Sequence, residues 1–148
     1  MDTIGDCIAD FLTAHGKINN RVEGSISALM DIGGKERLCG ISFNGNPIRG
    51  IVFAGEVPED ADAEDRFSEI LLDLDVQSPL TSHIVVIETG IFWFFDLILA
   101  DGSLEKQLEV WLSIAQAQLP QIDDMLACAE GKMSGGKYQF PINSTLRH

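Results

Sequence analysis

The sequence predicts a single α+β domain in which a helix, a three-stranded antiparallel meander, a second helix, a β-hairpin and a long C-terminal helix succeed one another, the twisted antiparallel sheet being packed by the helices. Three observations carry that prediction. Apolar residues recur at spacings of three and four in three separate stretches, the period of a helix with one buried face. Between those stretches they run in strand-length segments that alternate with polar residues. Short clusters of Gly, Asn and Pro divide the strand segments, which makes hairpins and leaves no room for the long crossovers of a parallel sheet.

Ile4, Ile8, Phe11, Leu12 and His15 share one helical face. Asp2 or Thr3 is placed to cap that helix, and Asp6 lies in the first turn, where the helix dipole favours an anion. Gly16 closes the helix and a short linker follows. Residues 25–32, 37–43 and 48–53 read as the meander, separated by Gly33-Gly34-Lys35 and Asn44-Gly45-Asn46-Pro47, both of which supply hairpin chemistry. Gly55-Glu56-Val57-Pro58 ends the third strand. Glu59, Asp60 and Asp62 then mark a helix start, because the orphan N–H groups of a first turn favour carboxylates. Ala63, Phe67, Ile70, Leu71 and Leu74 line one face of this second helix until Ser78 and Pro79 break it. Residues 83–88 and 91–99 form a hairpin about Thr89-Gly90. After the Ala100-Asp101-Gly102 turn, Ser103 caps the last helix. Leu104, Leu108, Trp111, Ala115 and Leu119 form its apolar stripe, and Ile122, Met125, Leu126 and Ala129 continue it beyond a kink or restart at Pro120. Residues 1–130 constitute the domain. Residues 131–148, opening on Gly131 and Ser134-Gly135-Gly136, are expected as a flexible tail whose Tyr138 and Phe140 dock on the body or on a partner.

The chain of 148 residues is 45% hydrophobic with a mean hydropathy of +0.11, too apolar for an acidic chain that stays unfolded. Its 10 basic and 23 acidic residues give a net charge of −13, and the few cations are scattered. That balance argues against nucleic acid as a partner, since phosphates need clustered cations, and against an anionic membrane surface for the same reason. Cys7, Cys39 and Cys128 are far apart and lack metal or redox spacing, as expected of reduced thiols in a cytoplasmic protein. The N-terminus has no basic segment followed by an apolar run, and the longest apolar run, from Ile91 to Phe95, ends at Asp96, far short of a membrane span.

Candidate chemistry is sparse. Nine carboxylates lie between Glu56 and Asp75 against one cation, Arg66. A calcium loop starting at Asp60 would need Gly where Asp65 stands and Glu where Leu71 stands, so the stretch reads as a solvated helix face, or as a surface that steers a basic partner. His15, His83 and His148 have no nucleophile in a catalytic context, and Gly33-Gly34 leads into a strand rather than into a phosphate-binding helix. No cofactor, metal or enzymatic activity is expected. The most informative segment is residues 90–99. In a strand, Ile91, Trp93, Phe95, Leu97 and Leu99 point one way and Phe92, Phe94 and Ile98 the other, so both faces are apolar. Either helices cover both sides of the sheet, or the side of Phe92, Phe94 and Ile98, with Ile84 and Val86 as neighbours, is a docking surface.

This order of elements in a small acidic chain resembles the class I type III secretion chaperones, the Tir chaperone family, over most of residues 2–129. Leu71-Leu72 near the end of the second helix matches a family Leu-Leu pair, with Asp75 standing where the family has Asn. The resemblance implies a non-enzymatic, cytoplasmic bacterial homodimer that binds an extended segment of a secreted effector protein in apolar grooves and keeps it soluble for export. By the family's architecture, the first helix and adjoining sheet would form the groove from Ile8, Phe11, Leu12, Ile26, Ala28, Ile41 and Phe43. The second helix and late strands would form the dimer interface from Phe67, Leu71, Phe92 and Phe94. The rival reading is an acidic toxin-immunity or anti-activator protein that covers a basic protein surface. The two differ in where binding energy resides, apolar side chains in the first and salt-sensitive carboxylates in the second.

Overall fold

A computed structural model describes residues 3–45, 47–77, 82–97 and 103–131. The first helix, α1 (Thr3–His15), buries Ile8, Phe11 and Leu12 on the face that its spacing predicts. It passes at Gly16 straight into a strand, β1 (Gly16–Val22), where the sequence suggests only a linker. Exposure hides this strand. Ile18 alone is half-buried, so no alternation of apolar residues marks it. A bulge at Asn19, with Lys17 and Arg21 beside it, twists and charges what is an outer edge of the sheet.

Three further antiparallel strands follow, β2 (Ser25–Ile32), β3 (Lys35–Ser42) and β4 (Ile48–Glu56), so the meander has four strands rather than three. Gly33 and Gly34 both adopt positive φ, 67° and 84°, which a two-residue turn between twisted strands requires. The second helix, α2 (Ala61–Gln77), starts three residues after Pro58. Asp60 is its cap, accepting from the Ala63 N–H through its side chain at 3.0 Å and from the Glu64 N–H through its carbonyl at 2.8 Å. The hairpin is β5 (Ser82–Ile87) with β6 (Gly90–Leu97), and its turn is Glu88-Thr89, one residue earlier than expected, with Glu88 at a φ of 56°. The last helix, α3 (Leu104–Ala129), is capped by the Ser103 hydroxyl on the Lys106 N–H at 3.2 Å and runs as one element through Pro120 instead of restarting there. The expected roles of Asp2, Ser78-Pro79, the Ala100-Asp101-Gly102 turn, Ile98 and Leu99, and of the tail beyond Gly131, fall outside the described residues, as do those of the side chains of Leu72, Leu74 and Asp75.

The strands form one six-stranded sheet in the order β1-β2-β3-β4-β6-β5, every neighbouring pair antiparallel. Along β2, β4 and β6 every second residue is buried, and these residues share one face. The buried residues of all three helices join the same core: Leu12 from α1, Phe67 from α2, and Trp111, Leu119 and Met125 from α3 pack with Ile26, Ile41 and Trp93 of the sheet. Gly50 shows how close that packing is, since a β-carbon there would overlap the Trp111 indole. The helices therefore occupy one side of the sheet among the described residues.

One charged residue is buried against this core among the described residues. Arg37 points from β3 into the helical side, where its Nε donates to the Ile32 carbonyl at 2.8 Å and its two Nη atoms fork onto Asp123 of α3 at 3.2 and 2.5 Å. Lys35 approaches the same carboxylate at 3.4 Å. Two turns earlier in α3, the Gln116 amide brackets the β2–β3 turn, accepting from the Gly33 N–H at 2.7 Å and donating to the Asp31 carbonyl at 2.9 Å. These bonds tie α3 to the β2–β3 end of the sheet.

Candidate functional site

The other face of the sheet carries the candidate site. Register builds it. Ile51 of β4 lies opposite Phe94 of β6, and Phe53 opposite Phe92. Across the next ladder, Phe92 faces Val85 and Phe94 faces His83. Directly opposed residues share a face, so Ile51, Phe53, Phe92, Phe94, Val85 and, one step on, Ile87 form one apolar island on three adjacent strands. Each of the first five is half-buried by its neighbours, and Ile87 remains 52% exposed. None belongs to the core or to its half-buried fringe among the described residues.

The rings hold one another in place. Phe53 and Phe92 meet edge to face at 5.4 Å, and the His83 imidazole lies 5.7 Å from the Phe94 ring. The Arg49 guanidinium sits 5.3 Å from the centre of the Phe94 ring while its Nε donates to Asp96 at 2.7 Å. Phe94 thus has a cation on one flank and an imidazole on the other, and Asp96, the acid within the patch among the described residues, is paired with Arg49. Toward β1 the same face changes character: Ser25, Ser27, Gly40 and Ser42 take the corresponding positions, with Leu29 and Leu38 paired one step beyond them. The island is bounded by polar sheet on one side and by the β5 edge on the other.

This placement revises the expected site. Ile8, Leu12, Ile26, Ala28 and Ile41 have no exposed surface and Phe11 is 7% exposed, because α1 lies directly on β2. The residues assigned to an effector groove by resemblance are brought together, but as the core between helix and sheet; Phe43 borders that core, half-buried. The dimer candidates divide. Phe67 is in the core with Leu71 at its margin, whereas Phe92 and Phe94 lie on the open face. Ile84 is buried on the core side and Val86 lies opposite core-facing Ile91, so Val85 and Ile87 take the places expected for those two. Ile51 and Phe53 were the residues sequence reasoning missed. The signal was present, since the segment Ile51-Val52-Phe53-Ala54 is apolar at every position, the same mark that singles out residues 90–99.

Other groups have less to offer. Glu59, Asp60, Asp62, Glu64, Asp65 and Glu69 are all exposed around the first turns of α2, and no group of His, Cys, Asp or Glu among the described residues is arranged to hold a metal ion. Burial pushes the Cys39 thiol up to about 12 against the opposing influence of Arg37, so it stays protonated and unreactive at neutral pH. The Cys7 thiol is also raised, by burial first and then by Glu105 and Asp10. No helix among the described residues is long and apolar enough to cross a membrane. Comparison with protein-family models and with curated proteins finds no match to this chain.

Proposed function

We propose that the protein is a non-enzymatic chaperone that holds an extended, partly apolar segment of another polypeptide, a secreted effector in the reading that its resemblance suggests, and that the segment lies across the β4-β6-β5 island. The observation that carries the proposal is an apolar face that no helix covers among the described residues: six apolar side chains on adjacent strands, opposite a face already occupied by three helices. A flat row of side chains at strand spacing suits an extended chain, whose alternate residues descend onto it at matching intervals. The acidic remainder of the molecule favours a segment with cations between its apolar residues. Homodimerisation through the same face is the competing use of the surface.

The test is binding of an arginine-bearing peptide of alternating apolar residues, followed by fluorescence anisotropy at low and high salt. Phe94→Asp is expected to weaken binding at least about tenfold while leaving the melting temperature near that of the wild type, because Phe94 lies outside the core. Phe11→Asp is not a usable probe, since that side chain is in the core and the variant would unfold. If charge reversal at Asp62 and Asp65 abolishes binding and Phe94→Asp does not, the acidic face is the recognition surface and the immunity-type reading replaces this one. A peptide-free wild type that sediments as two chains, reduced to one by Phe94→Asp, would assign the face to a second copy.

A further inference from the structure

The turn between β3 and β4 holds the one Asn-Gly pair of the chain, Asn44-Gly45. An asparagine side chain and the next backbone nitrogen are neighbours in a potential five-membered ring, so they react as an intramolecular pair once the backbone lets them meet. Glycine in the second position permits that meeting, because it has no β-carbon beside the attacking nitrogen and few conformational restrictions. The structure adds the remaining conditions. Asn44 and Gly45 are both exposed and lie outside the strand ladders, and no hydrogen bond holds the Gly45 N–H among the described residues. Nothing lies within 4 Å of where a β-carbon at Gly45 would stand, so no neighbour restrains the backbone there. Other asparagines lack these conditions. Asn19 and Asn20 are inside β1, followed by Asn20 and Arg21, and Asn46 precedes Pro47, which has no N–H to attack with.

The Asn44 carboxamide is also a packing element. A β-carbon at Gly24 would overlap it, so the side chain lies directly on the turn that joins β1 to β2. Next to that contact the Gly24 carbonyl accepts from the Phe43 N–H at 2.8 Å, and Glu23 stands exposed in the same turn. A negative charge in place of the carboxamide therefore meets a like charge on the turn it rests against. β1 is the strand that would register the change, since it is an outer strand and of its residues only Ile18 is half-buried.

We infer that Asn44 is a site of spontaneous deamidation, and that the acidic product loosens the β1–β2 turn. The Gly45 nitrogen attacks the Asn44 side-chain amide carbon; a C–N bond forms to give a cyclic imide, the bond from that carbon to Nδ2 breaks, and ammonia leaves with the proton from the Gly45 nitrogen. Water then adds to either imide carbonyl and opens the ring to aspartate or isoaspartate. The sum is amide plus water giving carboxylic acid plus ammonia, with no change of oxidation state. Hydroxide speeds the first step by removing the Gly45 proton, so conversion rises with pH. The inference stands apart from the β4-β6-β5 island, on the opposite part of the sheet.

The experiment incubates the full native chain at mildly alkaline pH, digests samples after arginine and follows the peptide of residues 38–49 by chromatography and fragment mass. Conversion at Asn44 to two products of equal mass, aspartate and isoaspartate, is expected. Gly45→Ala, for which the turn has room, should slow conversion at least about tenfold. A native chain that stays intact at Asn44 while the chain unfolded in urea converts, or an equal rate in Gly45→Ala, would overturn the assignment. Asn44→Asp tests the consequence: amide hydrogen exchange over residues 16–24 should quicken at least about threefold, with residues 48–56 and 90–97 unchanged. Exchange in residues 16–24 equal to that of the wild type would overturn the loosening of the turn.

Discussion

Arg37 ties β3 to α3 through a buried charge pair. It is 5% exposed, yet its guanidinium has partners in both directions, the Ile32 carbonyl and the Asp123 carboxylate. Removing one member of a buried pair leaves the other charge without compensation, which costs more than the pair contributes when intact. Asp123→Ala is therefore expected to destabilise by about 3 kcal/mol in urea unfolding, and the double variant Arg37→Met, Asp123→Leu to recover most of the loss. Equal stability of the single and double variants would show that water compensates the guanidinium in the absence of the carboxylate. Cys39 gives a pH signature from the same region. Its folded-state pKa is raised from 9.0 to about 12. The associated stability is thus fully present below pH 9 and is lost progressively as the pH rises toward 12, because only the unfolded chain ionises readily in that window. Cys39→Ala should flatten the fall in melting temperature over that range. If the wild type and the variant decline in parallel above pH 9, other groups control the alkaline limit. Gly50 is the tightest steric test in the core: Gly50→Ala must displace the Trp111 indole, and a loss of at least about 1 kcal/mol is expected in the same urea assay.

At the scale of the element, the acidic run from Glu56 to Asp75 divides into one structural acid and several solvating ones. Asp60 caps α2, whereas Asp65 projects exposed from its first turns. Asp60→Ala is expected to cost about 1 kcal/mol, Asp60→Asn much less because the amide oxygen still accepts, and Asp65→Asn under about 0.5 kcal/mol. Thermal unfolding of the three variants orders them, and equal losses would deny Asp60 its capping role. The same contrast explains what the sequence makes legible. α1, α2, α3, β2, β3, β4 and the hairpin announce themselves because each buries one face and so imposes a period on its residues. β1 buries almost nothing, so no period betrays it, and it is recognised only through its pairing with β2. The hairpin turn is displaced by one residue, and Glu88 rather than Gly90 takes the left-handed backbone, at a φ of 56°. The double-sided apolar character of residues 90–97 was readable, and in the strand one side is buried and the other half-buried. Which first-helix residues would be covered was not readable, since an amphipathic helix looks the same whether its apolar side meets its own sheet or a partner. The placement of α1 on β2 resolves that, and it moves the candidate site from Phe11 and its neighbours to Ile51, Phe53, Phe92 and Phe94.

At the scale of the whole molecule, charge and apolar surface are separated. The helices and turns carry most of the acids, while the island holds Asp96 alone, and that carboxylate is engaged by Arg49. A net charge of −13 spread over the surrounding surface repels a second copy at distances up to a Debye length, about 10 Å at 0.1 M salt and about 3 Å at 1 M. Low salt therefore sets long-range repulsion against the apolar attraction of the open faces, and high salt removes the first while leaving the second intact. Sedimentation of the full chain is expected to show a larger average mass at 1 M NaCl than at 0.05 M, and Phe94→Asp, with a new charge at the centre of the island, should abolish the increase. Association that weakens with salt would mean that copies or partners meet through opposed charges, and the acidity would then be the recognition surface rather than what keeps an apolar face in solution.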